Sequence, residues 1–306
     1  MRGGTSRGPS SAALARLYVR RRQLRSRPAP VAMLKQPSMR RLLLIGMGAG
    51  DPEHLTVQAI ALLNQVDVFF VMDKGAVKDD LSRLRRAICE RYIERPRYRI
   101  VEARDPVRDP GIASYPERVD AWHAERAAIY EQLLEKELAE DGCGAFLVWG
   151  EPALYDSTLR IVEQVAARGK VAFSYQIVPG ISSLQVLAAK HKIALNRIGG
   201  ALHITTGRRL AQGLRDDLDD VVVMLDGELA FKTVAADAFD IYWGAYLGTE
   251  RELLIAGRLS DVAQEIEHTR AAARAQHGWI MDIYLLRRNA PKRARATASG
   301  LTGPRD

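Results

Sequence analysis

Three short turns, each at the end of an apolar run, hold the residues most suited to chemistry. Gly46-Met47-Gly48-Ala49-Gly50-Asp51-Pro52 follows the run 41–45, Gly150-Glu151-Pro152-Ala153-Leu154-Tyr155 follows 145–149, and Pro179-Gly180-Ile181-Ser182-Ser183 follows 173–178. A strand that ends in such a turn leaves backbone donors and acceptors to be satisfied by a partner, and glycine lets that partner approach the main chain closely. The first turn invites a dinucleotide-binding reading, with Asp73 ending the second strand where a ribose-binding acid would sit. Against it, the third glycine of that motif would fall at Asp51, followed by Pro52. A carboxylate there occupies the anion site a pyrophosphate needs. The plainer reading is a tight turn into a helix, with Asp51 as N-cap and Pro52 in the first helical position. An Asp51 that caps can also face a ligand, which makes it the candidate catalytic residue for polar or acid–base work.

Other chemistries find little support. The six histidines are scattered without HxH or HExxH spacing, and Cys89 and Cys143 form no CxxC, so neither a metal centre nor a disulfide scaffold is expected. Reduced thiols suit the cytoplasm. GxSxG is absent, and no Ser-His-Asp spacing stands out. The longest apolar stretch, 42–50, is far short of the roughly 20 residues that span a bilayer. No membrane partner is expected. The net charge of +8 would suggest nucleic acid, but residues 1–40 carry +10 and 288–306 carry +4, which leaves −6 on 41–287. Both ends are rich in Ala, Ser, Gly and Pro and bury too little apolar surface to fold. They read as disordered tails, so no nucleic-acid partner is expected. The first tail is an early-assigned start (with Met33 or Met39 the true one), a solvated extension, or an Arg-rich transit peptide.

The elements that must hold the turns follow from hydrophobic period. Apolar runs at 41–45, 66–72 and 145–149 alternate with helical-period segments at 78–92 and 115–140, and 97–101 is extended. This is the rhythm of an α/β fold with a mainly parallel sheet. A helix over 157–167 and a strand over 173–178 follow; further strands at 201–205, 221–225, 241–245, 253–256 and 279–286 flank a helix at 261–275. Their closer spacing suggests a mixed sheet. With 306 residues and 47% apolar content the chain has room for two medium domains. The expected boundary lies near 150–157, giving domains 41–153 and 154–287.

Five segments in order carry a more specific resemblance. Leu44-Ile45-Gly46-Met47-Gly48-Ala49-Gly50-Asp51-Pro52, Trp149-Gly150-Glu151-Pro152, Val178-Pro179-Gly180-Ile181-Ser182-Ser183, Leu195-Asn196-Arg197 and Gly244-Ala245-Tyr246-Leu247-Gly248 are similar to the motifs of the tetrapyrrole methylase family, over about 41–287. The chain departs from them with Ala49 for the usual Pro and Glu151 for the usual Asp. The resemblance implies two αβα domains with the active site in the cleft between them, S-adenosylmethionine as methyl donor, and a homodimer. Phe70-Val71-Met72-Asp73-Lys74-Gly75 and Trp149–Arg160 look most like the branch that takes precorrin-5, methylates ring carbon C-1 and releases acetate. Carried onto this chain, it makes Gly150, Glu151, Leu154, Tyr155, Ser182 and Ser183 cofactor contacts, although the two serines would also serve as helix caps. Leu225 and Ala245, each near a strand end, either close the adenine slot or pack the core. A polycarboxylate substrate calls for cations; Lys74, Arg104, Arg108, Arg160 and Arg197 are candidates by loop position, with solvated surface charge as the alternative. Acetate loss needs attack by water or an equivalent acyl cleavage, and His54, Asp73 and Glu102 are conceivable helpers among which the sequence does not choose. The competing functions are methylation of another target by the same fold and, from another class, nicotinamide-dependent oxidation.

Overall fold

A computed structural model describes residues 39–73, 79–109, 111 and 114–289. The tails expected over 1–40 and 288–306 lie outside the described residues, apart from 39–40 and 288–289. Candidate Lys74 lies outside them too.

The first half is built on a five-stranded sheet in the order β3-β2-β4-β1-β5. Its strands are β1 (Arg40–Gly46), β2 (Val68–Asp73), β3 (Arg99–Arg104), β4 (Cys143–Val148) and β5 (Phe173–Val178), and all pairings are parallel. β1 is an interior strand between β4 and β5, and alternation along it shows why a continuous apolar run is needed. Leu42 and Leu44 pack with α3 (Tyr115–Glu137) and α4 (Thr158–Arg168), through Tyr130, Leu134, Ile161 and Val165. Leu43 and Ile45 point to the other face, where α1 (Val57–Leu63) and α2 (Asp79–Tyr92) supply Ala59, Leu63 and Ile88. A strand covered on both faces has no polar side.

The second half is a mixed sheet in the order β6-β7-β10-β8-β9. β6 (Leu202–Thr206) and β7 (Asp220–Met224) are parallel; β8 (Phe239–Ala245), β9 (Leu253–Arg258) and β10 (Asp282–Arg288) join antiparallel. One face packs on α7 (Leu259–His277) through Leu259, Ile266 and Ala273. The other packs on α5 (Ser183–His191), and that same cluster takes in Ala49 from the first glycine turn. A short helix, α6 (Gly207–Leu210), follows β6. Two αβα units therefore meet where the first turn reaches the second sheet.

Two expectations need correction. The boundary does not fall at 150–157: β5 pairs along its whole length with β1, so the first unit runs through Val178 and the chain crosses between β5 and β6. A strand destined for the far edge of a parallel sheet arrives late in the sequence because a helix must precede it. Asp51 is an N-cap followed by Pro52, as expected, but not of the helix that carries Ala59 and Leu63. It caps a single 3₁₀ turn, Pro52–His54, by accepting from the Glu53 amide at 2.8 Å. The chain then breaks, and Thr56 caps α1 through the Ala59 amide.

Candidate active site

The three turns meet in space. Gly48 and Gly150 form an antiparallel bridge, with the Gly150 amide donating to the Gly48 carbonyl at 2.9 Å. Glu151 joins the second turn to the third: one carboxylate oxygen accepts from the Ala153 amide at 2.9 Å, the other from the Gly180 amide at 2.7 Å. A β-carbon on Gly180 would stand 2.1 Å from the Gly150 carbonyl oxygen, and one on Gly46 would stand 2.6 Å from the Gly180 nitrogen. These are backbone contacts that no rotamer change relieves, so glycine is required at both positions. On the far side, a β-carbon on Gly50 would stand 2.5 Å from the Leu247 carbonyl oxygen, which shows how tightly the first turn seats against the loop after β8.

This junction borders a cleft of about 1240 Å³ at the C-terminal ends of β1 and β4, where open parallel sheets place their ligands. Gly150, Glu151, Leu154, Tyr155, Ser182, Ser183 and Leu225 all line it, as does Arg108. Tyr155, Leu225 and Tyr246 line it with backbone φ of 51°, 53° and 50°. Non-glycine residues in the left-handed region cost free energy and cluster where a site demands an unusual chain path. Leu225 is 61% exposed and Tyr155 45%, so apolar side chains stand open in the cleft.

The strain at Leu225 is held by the residue after it. Buried Asp226 accepts from the Glu228 and Ala230 amides at 3.0 and 2.7 Å and from the Tyr284 hydroxyl at 2.7 Å. Arg270 donates to the Asp226 carbonyl at 2.8 Å and to Asp282 at 2.9 Å, and Trp243 donates to Asp282 at 3.0 Å. Burial raises the Asp282 carboxyl above its usual range despite Arg270, and burial and then Asp226 push the Tyr284 phenol up.

Other candidates are placed elsewhere. Ala245 is fully buried in the second core; the next residues, Tyr246 and Leu247, reach the cleft because the strand ends there. Gly50 and Pro52 line the cleft, while the Asp51 carboxylate is engaged by its own turn. Arg197 sits at the opposite end of the second sheet. Its amide donates to Asp220 at 3.0 Å, its guanidinium donates to the Arg288 carbonyl and stands 3.8 Å from Asp219, so it closes that end of the fold. Arg104 ends edge strand β3 and Arg160 lies on α4, both exposed and outside the cleft lining.

The cations that do line the cleft come from helices and a loop. Arg108 stacks over the Trp122 ring at 4.5 Å. Arg126 packs on the same ring at 4.7 Å and pairs with Asp105 at 2.9 Å, both side chains nearly buried. Arg85 donates to the Leu147 carbonyl at 3.1 Å, and burial pulls its pKa down. Arg85 and Arg126 escaped sequence reasoning because an arginine on a helix reads as solvated surface. The pairing of Trp122 with Arg126 at i, i+4 was the available signal. Among the described residues no group of His, Cys, Asp and Glu could hold a metal, and no helix is long and apolar enough to cross a membrane.

Residues 41–263 match the Tetrapyrrole (Corrin/Porphyrin) Methylases, and the chain belongs to that family. It is 56% identical over 257 residues, 84% of this chain and 98% of the relative, to a precorrin-6A synthase [deacetylating] from a Sinorhizobium species. The crystal structure of a cobalamin synthesis related protein from Corynebacterium diphtheriae is similar at TM-score 0.71 and 40% identity, covering 81% of this chain and 98% of that one. A uroporphyrin-III C-methyltransferase from Thermus thermophilus, solved with S-adenosylhomocysteine, shares the fold at TM-score 0.50 and 16% identity, over 80% of this chain and 91% of that one.

Proposed function

We propose that this enzyme transfers a methyl group from S-adenosylmethionine to ring carbon C-1 of precorrin-5 and releases acetate, giving precorrin-6A. The observation that carries the reading is 56% identity across 98% of a precorrin-6A synthase [deacetylating]. The cleft is consistent with it. At about 1240 Å³ it exceeds the roughly 300–1000 Å³ of a site for one drug-sized ligand, which leaves room for a nucleoside beside a macrocycle.

The residues present fit the methyl donor. Tyr155, Leu225 and Tyr246 offer apolar and aromatic surface for an adenine. The turns at Gly150 and Gly180 bring main chain to the cleft edge, where ribose and amino-acid groups need polar partners. The Ser182 oxygen accepts from the Leu184 amide at 3.1 Å and still has its own proton to donate. Arg108 and the arginines near it suit carboxylates on the acceptor. The sulfonium donor is already activated, so the chain's work is to align the acceptor carbon, methyl and sulfur and to exclude water. The reading extends to a homodimer in the cytoplasm, and light scattering after size exclusion checks the dimer.

Two measurements test it. S-adenosylhomocysteine at about 100-fold its Kd should raise the melting temperature by about 5 °C or more, whereas NAD(P) should not; the reverse would favour an oxidoreductase. Incubation with precorrin-5 and S-adenosylmethionine should give a product that has gained a methyl and lost an acetyl group. Methyl gain with the acetyl retained would refute the assignment.

A further inference from the structure

Acetate release needs a nucleophile and a base, and one pair in the cleft wall has that form. Ser157 lines the cleft, and its Oγ stands 3.0 Å from Nε2 of His123. The two residues are 34 positions apart, on α4 and α3, so the pair exists only in the folded chain. Ser157 is the N-cap residue of α4, yet its side chain makes no capping bond. Asp156 takes the nearby Thr158 amide at 2.6 Å instead. The serine hydroxyl is thereby left to the histidine.

His123 is only 5% exposed and packs against Trp122, which also lines the cleft. The charged groups around it are Arg160 on α4, Asp120 and Arg126 on α3, and Arg108 from the preceding loop. Burial and then Arg160 hold its pKa below the usual histidine value, with Asp120 alone opposing them among those groups. The imidazole is therefore neutral near pH 7, the form in which it accepts a proton. Beyond Thr158, whose amide Asp156 takes, the first-turn amides of α4 lack intrahelical partners and can stabilise negative charge developing beside Ser157.

We propose that Ser157 is the acyl acceptor and His123 its base in the acetate-releasing step, an assignment that rests on the function proposed above. Ser157 Oγ adds to the carbonyl carbon of the ring-bound acetyl group, and its proton passes to Nε2 of His123. The bond between that carbonyl carbon and C-1 breaks. Its electron pair goes to C-1 and the conjugated ring, where it forms the bond to the incoming methyl. His123 releases its proton to solvent. Water then attacks acetyl-Ser157, giving one proton to His123; acetic acid leaves, and the serine oxygen recovers that proton. Acetylated substrate, water and sulfonium donor thus become methylated product, thioether, acetic acid and one proton.

The test measures acetate and methylated product from precorrin-5 and S-adenosylmethionine with the full chain. Ser157→Ala should bind S-adenosylhomocysteine within about twofold of wild type and lose acetate release by about 100-fold or more, the scale of a lost general acid–base partner. His123→Gln should do the same, and it carries the test if Ser157→Ala does not fold. Acetate release within about fivefold of wild type in either folded variant overturns the assignment. A wild-type enzyme that yields no acetate and no methylated product overturns the proposed function with it.

Discussion

Gly180→Ala isolates the convergence of the three turns from every other effect. Gly180 is not among the glycines with positive φ, so alanine meets no backbone strain there and only packing acts. The new methyl would lie 2.1 Å from the Gly150 carbonyl oxygen and 2.9 Å from the Gly46 Cα. All of these neighbours are main chain at strand ends, and relief requires the β5 turn to move away from β1 and β4. That motion also pulls the Gly180 amide from Glu151, now 2.7 Å away. Overpacking of this kind costs about 1–3 kcal/mol, and loss of a hydrogen bond to a charged acceptor adds about 1.5–3 kcal/mol. For a chain of this size, the melting temperature should fall by roughly 6–12 °C, and the affinity for S-adenosylhomocysteine by about tenfold or more. Differential scanning fluorimetry and titration calorimetry read the two effects. Gly150→Ala is the comparison: it has open space around its β-carbon but a φ of 71°, so it carries only the left-handed penalty of about 1–2 kcal/mol. Gly180→Ala with unchanged melting and unchanged affinity would refute the claim that the turns are in contact.

Other substitutions probe the supports around the cleft. Glu151→Ala orphans the Gly180 and Ala153 amides and should lower S-adenosylhomocysteine affinity about tenfold, at a stability cost of about 2–3 kcal/mol; calorimetry and chemical denaturation check both. Arg126→Ala leaves Asp105 nearly buried without its partner and should destabilise the fold by about 3–5 kcal/mol, whereas Arg215→Ala at the exposed Arg215–Asp217 pair should leave the denaturation curve unchanged. Because His123 has a lowered pKa in the fold, the unfolded chain binds its proton first as pH falls. Stability should therefore decline as pH drops below the ordinary histidine value towards the folded one, and His123→Gln should flatten that part of a melting-temperature profile. Burial pushes the Cys89 thiol up to about 12 and raises Cys143 as well, so neither should react with iodoacetamide at pH 8 until the protein is unfolded, which mass spectrometry reads directly.

Wherever the cause was local, the sequence alone was sufficient. The run 42–45 is apolar at every position, which only a strand covered on both faces requires, and β1 is that strand. The three glycine turns were legible as strand ends. Tertiary contact governed the rest. β5 reads like any other half-buried strand, and only its pairing with β1 assigns it to the first sheet. Ala245 and Tyr246 are neighbours in a continuous pattern and both are buried in the second core, yet only Tyr246, just past the end of β8, also borders the cleft. Arg197 was expected at the substrate but is consumed by Asp219, Asp220 and the end of β10, while Arg126 does reach the cleft because Trp122 and Asp105 pack around it. The approach of Ser157 to His123 has no trace in spacing, since two helices separated by a strand set it. Period and turn chemistry act over a few residues and can be read along the chain; electrostatic partners and shared walls depend on which distant surfaces the sheets bring together.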